Sequence, residues 1–129
     1  MKNNKGQSLV EVIFSMGIVI LVLVGVVMLM VVTAKAKRIA SERQKAIELS
    51  QLLIEDKVNY FKDENNILSF WNAPSHTNIT NQSNTDFSGY SYDTTYDNCD
   101  NNSCKIIFTI TWGDSQRLSV ERVFLRKGL

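Results

Sequence analysis

The pattern of apolar and polar positions divides the chain into stretches of different period. From Val12 to Val32 there are about 21 residues without a charge, close to the ~20 that a helix needs to cross a bilayer. Apolar residues fill the whole helical circumference there, as in a buried or membrane helix. After Thr33 the pattern becomes amphipathic. Ala36, Ala40, Ile47, Ile54, Val58 and Phe61 recur at helical spacing and predict one buried face. No proline interrupts the chain between Gln7 and Glu64, so this segment reads as one long helix, roughly 85 Å at ~1.5 Å per residue. Gly17 and Gly25 are tolerated in its apolar half. Asn65 and Asn66 read as its end. A loop rich in Asn, Ser and Thr follows and contains Pro74.

The period then changes to two. Ile106, Phe108, Ile110 and Trp112 share one face of a strand over Lys105–Trp112, with Thr109 and Thr111 on the other. Gly113-Asp114-Ser115 is a turn signal, and Leu118 to Arg126 reads as the returning strand, with Leu118, Val120 and Phe124 alternating. A weaker strand is expected over Phe87 to Tyr92. The predicted fold class is α+β: a long N-terminal helix, apolar and then amphipathic, packed on a small antiparallel β-sheet. The segments are a polar leader (1–6), an apolar helix (7–34), an amphipathic extension (35–64), and a loop and sheet (65–129).

Charge refines this picture. The net charge of +1 over 129 residues gives no bulk attraction for nucleic acid. Its layout is uneven: Lys35, Lys37, Arg38, Arg43 and Lys45 face only Glu42 just past the apolar stretch, whereas no Lys or Arg lies between Asn65 and Cys104. A positive belt beside a membrane helix meets anionic lipid headgroups. DNA would need a shared basic surface, and strand alternation splits Arg117, Arg122, Arg126 and Lys127 between faces. DNA therefore ranks well behind the lipid bilayer as a partner.

Glu11 is the anomaly. A carboxylate in a membrane helix costs ~2.5–3.5 kcal/mol at mid-bilayer and less near the interface. It lies four residues after Gln7. Cleavage after Gly6 would give Gln7 a new α-ammonium, and a neighbouring subunit offset along a filament could set that ammonium against the Glu11 carboxylate. Such a pair, walled by apolar groups and unscreened, would favour one axial register. A secretory signal peptide fits less well, because the apolar stretch is too long and no A-x-A-like site follows it at Thr33-Ala34-Lys35.

Lys5-Gly6-Gln7-Ser8-Leu9-Val10-Glu11-Val12 resembles the class III signal of type IV pilins and type II secretion pseudopilins. Gly6 corresponds to the glycine at the cleavage site, Ser8, Leu9 and Val10 to its T-L-I positions, and Glu11 to the fifth residue of the mature chain. Gln7 stands where phenylalanine is usual. The resemblance implies cleavage between Gly6 and Gln7 by a membrane aspartyl prepilin peptidase and methylation of the Gln7 amine. It also implies filament assembly through Glu11 with other pilin or pseudopilin subunits on an inner-membrane platform. Counting charges alone would put the C-terminus in the cytoplasm. The resemblance implies the reverse: a single pass through a bacterial cytoplasmic membrane with the leader inside and the head outside, then residence in a filament. Ile110-Thr111-Trp112-Gly113-Asp114 followed by Ser119-Val120 is similar to the ending of V-type minor pilins, also called type IV pilus modification proteins, whose role would be priming assembly or modifying the tip. The runner-up is a pseudopilin of a type II secretion or competence DNA-uptake system. A surface receptor or adhesin on a plain signal anchor comes third, and in it Glu11 would be dispensable.

The remaining chemistry is sparse. Cys99 and Cys104 are read as a disulfide, given an oxidising exterior, closing a small loop worth ~2 kcal/mol by chain entropy. Free thiols are the alternative. Zinc is disfavoured, since the spacing is not CxxC and only His76 could assist. His76 itself reads as a surface histidine without a partner. Asp93, Asp97 and Asp100 do not follow EF-hand spacing and read as a solvated loop. The glycosylation patterns at Asn78, Asn81 and Asn101 are expected by chance in so Asn-rich a chain. No catalytic constellation is visible, Trp112 and Phe108 read as core, and neither enzyme activity nor a cofactor is expected.

Overall fold

An unbroken run of helix formers without proline gives the first element, α1 (Lys5–Tyr60). The structure, a computed structural model, describes residues 5–73 and 75–126, with side chains from residue 9 onward. The chain divides into two units between Ser41 and Glu42, and α1 contributes to both.

In the first unit α1 carries the apolar stretch. Every large apolar side chain from Leu9 to Val32 is between 42 and 75% exposed. This is one helix long and apolar enough to cross a membrane. Two hydroxyls in it bond back along the helix: Ser15 Oγ donates to the Glu11 carbonyl at 2.8 Å and Thr33 Oγ1 to the Leu29 carbonyl at 2.7 Å. Both are thereby satisfied without water.

The second unit packs the last part of α1 against a four-stranded antiparallel sheet with strands in sequence order: β1 (Ile79–Ser83), β2 (Tyr90–Asp97), β3 (Ser103–Trp112) and β4 (Gln116–Leu125). This is the expected α+β arrangement. Burial alternates without a break along β3, so Cys104, Ile106, Phe108, Ile110 and Trp112 all face the core. Register puts Tyr92, Ile110 and Leu118 in one cross-sheet row, and Thr94, Phe108 and Val120 in the next. Gly113, at φ 57°, supplies the left-handed residue of the β3–β4 turn, a conformation that disfavours residues with a Cβ. On the opposite face, Lys105 bridges Asp97 at 3.2 Å and Glu121 at 3.6 Å.

Four elements differ from expectation. First, the helix face that docks on the sheet is Ala46, Leu49, Ser50 and Leu53. Ile54 and Phe61 pack against that cluster, but Ala36, Ala40 and Ile47 are exposed. Residues 46–54 are apolar over much of the circumference. Small Ala46 and Ser50, whose hydroxyl donates to the Ile47 carbonyl at 2.6 Å, let the sheet approach on their side. Tyr90 reinforces this seat by donating its hydroxyl to the Glu42 carbonyl at 3.0 Å.

Second, α1 stops at Tyr60, and a short helix α2 (Glu64–Trp71) replaces the expected loop. Asp63 caps α2, its carboxylate accepting the Asn65 N–H at 2.9 Å. Asn65 and Asn66 therefore sit in the first turn of a new helix instead of ending the old one. Third, β2 begins at Tyr90, because Phe87 to Gly89 form a turn with Gly89 at φ 87°. Fourth, β1 is a strand where none was expected. It is short, largely exposed and interrupted by a bulge between Ile79 and Gln82.

Candidate functional site

Two regions carry residues singled out by the sequence, one in each unit. In the first, Glu11 lies exposed two residues into the apolar side chains that begin at Leu9. Gly6 and Gln7 belong to the first turns of α1, but their side chains lie outside the described residues. The leader residues Met1–Asn4 lie outside them as well. The basic residues Lys35, Lys37 and Arg38 follow the apolar stretch on the same helix and are exposed. Glu11 thus stands at the edge of the apolar stretch, where a carboxylate costs less in a membrane than at mid-bilayer.

The second region lies where α2, the following segment and the β2–β3 turn converge. Cys99 and Cys104 are joined by a disulfide across this turn. The enclosed loop is held by Asp100, whose Oδ1 accepts N–H bonds from Asn102 at 2.8 Å and Ser103 at 2.6 Å. Those two bonds, above all, hold its carboxyl below the usual carboxylate range. The loop is tied to the end of β4 by the Arg126 N–H, which donates to the Asn102 carbonyl at 2.7 Å.

Beside the disulfide opens a cleft of about 260 Å³ lined by Trp71, His76, Tyr96, Cys99, Asp100 and Asn101, among others. His76 is neither isolated nor fully exposed. Its ring stacks on Phe70 with centroids 4.0 Å apart and planes at 19°, and it lies 5.4 Å from the Tyr96 ring. Asn78 fixes the same segment by accepting the Tyr96 N–H at 2.9 Å. The expectation of a partnerless surface histidine is thus corrected. Helix α2, which sequence reasoning missed, supplies Phe70 and Trp71. The signal was present as Asp63 at a cap position and Ile67, Phe70 and Trp71 at i, i+3, i+4 spacing.

The other candidates are dispersed. Asp93 accepts the Asn81 N–H at 2.7 Å, Asp97 pairs with Lys105, and Asp100 serves its own loop. Each aspartate thus serves a different local partner. Arg117 pairs in register with Thr111 and Arg122 with Ile106, so the two belong to opposite faces of β4. Arg126 follows the strand, and Lys127 lies outside the described residues. Phe108 and Trp112 are core, with Trp112 stacked on Tyr90 at 5.9 Å.

Compared with protein families, with curated proteins and with solved structures, the chain shows no significant match.

Proposed function

We propose that the chain is a structural, non-enzymatic subunit of a type IV pilin-like filament, anchored in a membrane through α1 before assembly. One observation carries this reading: a helix whose apolar side chains from Leu9 to Val32 are all exposed, with Glu11 at its start, continues into a helix seated on an antiparallel sheet. Soluble monomers rarely expose a contiguous apolar patch beyond roughly a few hundred Å². This surface needs a bilayer, or the same surface on neighbouring copies, to cover it. Glu11 gives it directionality. In the bilayer its position near the helix start keeps the cost small, and in a filament it would accept the Gln7 ammonium of the adjacent subunit after cleavage at Gly6.

Within this class the reading favours a minor subunit. Its support is the β3–β4 hairpin, where Ile110-Thr111-Trp112-Gly113-Asp114 and Ser119-Val120 resemble the ending of V-type minor pilins. The single-pass orientation with the head outside, the peptidase, the methylation of Gln7 and the assembly platform all belong to this proposal.

The test is Glu11→Ala, read by membrane fractionation and by counting the subunit in sheared filaments. The variant is expected to stay in the membrane, since the Leu9–Val32 surface is untouched, and to drop out of filaments. Glu11→Asp is expected to do less harm. Normal incorporation of the alanine variant would remove the register role and bring the plain signal-anchor reading forward.

A further inference from the structure

The structure brings His76, distant in sequence, to the Cys99–Cys104 disulfide. The sulfurs of Cys99 and Cys104 and a ring nitrogen of His76 all lie within 4.8 Å of one another. We propose that these residues form a redox-gated metal site, in which the disulfide is the oxidised form and a Cys₂His site for a zinc-type divalent cation is the reduced form. The site uses only residues of the second unit, so its test stands apart from the filament reading; in an oxidising exterior the disulfide is the form expected.

The donor set selects the cation. Two thiolates and an imidazole suit borderline-soft d-block ions such as zinc and are poor ligands for calcium or magnesium. Tetrahedral zinc, with Zn–S of ~2.3 Å and Zn–N of ~2.0–2.1 Å, sets its ligand atoms ~3.3–3.8 Å apart. The cluster reaches that spacing if His76 closes by about 1 Å and the sulfurs separate by side-chain rotation. His76 is already held for this, stacked on Phe70 and tethered through Asn78 to β2. Cys104 is fixed on β3 with no exposure, while Cys99 lines the cleft. The cleft opens on Cys99 and His76, so a reductant can reach the Cys99 sulfur, and the fully buried Cys104 would have to turn toward it to join a bound ion. Asp100 remains a loop brace, because backbone donors engage its carboxylate.

The chemistry balances with an external dithiol as reductant. Its thiolate attacks the Cys99 sulfur, Cys104 leaves as thiolate, and the second external thiol resolves the mixed disulfide. Two electrons pass to the protein, which gains two thiols, and the reductant leaves as its own disulfide. The divalent ion then displaces the two thiol protons, which go to solvent, and takes neutral His76 as third ligand. Metal and disulfide are mutually exclusive, since both use the same sulfurs.

The experiment uses the full chain in detergent micelles, reduced with dithiothreitol and freed of it anaerobically, then titrated with Co²⁺. The expected result is one equivalent bound, with thiolate-to-cobalt charge-transfer absorption and the intense visible bands of a tetrahedral centre, both displaced by Zn²⁺. The oxidised protein should give neither. His76→Phe keeps a ring on Phe70 but removes the ligand nitrogen, and it should weaken Co²⁺ binding by at least about tenfold. Unchanged tryptophan fluorescence of oxidised His76→Phe shows that the fold persists. Absence of stoichiometric binding to the reduced chain, or unchanged affinity in His76→Phe, overturns the proposal.

Discussion

Replacing Leu49 by alanine tests which face of α1 carries the sheet. Leu49 is 0% exposed and belongs to the cluster of Ala46, Leu53, Ile106, Phe108 and Ile110. Removing a fully buried leucine loses its transfer energy and leaves a cavity, together about 2–5 kcal/mol. Ile47 is 42% exposed. Its truncation removes about half as much buried surface, and the better helix propensity of alanine offsets part of that, leaving about 1 kcal/mol or less. Urea unfolding of the second unit can be followed by tryptophan fluorescence, since Trp112 is in the core and Trp71 packs against it. With a slope of ~1–3 kcal/mol per molar urea, Leu49→Ala should lower the midpoint by at least about 0.7 M, and Ile47→Ala by no more than about half as much at the same slope. Equal losses, or a larger loss at Ile47, would mean that the sheet sits on the other stripe and that the packing described here is wrong.

Two further outcomes follow from the same geometry. Tyr90→Phe deletes the hydroxyl that donates to the Glu42 carbonyl and should cost about 1 kcal/mol in the same urea assay. Burial first, then the nearby Glu42 charge, raises the Tyr90 phenol above its ordinary value of 10.0. The folded state therefore retains that proton longer than the unfolded state. Stability is fully present below pH 10.0 and falls as pH rises through the folded value, a loss that Tyr90→Phe should reduce. Thiol labelling of the purified oxidised chain should find neither Cys99 nor Cys104 reactive until a reductant is added. Two thiols labelled without reductant would contradict the disulfide.

Strict alternation made β3 legible, because a period of two over a ten-residue strand has no helical alternative, and the turn at Gly113 with Leu118, Val120 and Phe124 beyond it made β4 legible. The apolar stretch of α1 was legible for a similar reason: nothing but a helix satisfies its backbone in an apolar medium. The docking stripe was not, since Ala46, Ile47, Leu49, Leu52, Leu53 and Ile54 offer two adjacent faces and only the sheet chooses between them. The strand β1 escaped notice because its single large apolar residue, Ile79, is itself exposed. At the candidate sites, Glu11 stood out by contrast with its surroundings. The cluster at His76 did not, because long-range folding brings it to the disulfide and no local motif announces it.

The intact mass of the protein from cells with and without an active prepilin peptidase tests the central proposal most directly. The account predicts removal of residues 1–6 only where the peptidase is active, with a mature chain beginning at Gln7 and methylation visible as an added methyl mass. An unprocessed chain in the presence of an active peptidase, or a mature N-terminus past Gln7, would contradict it.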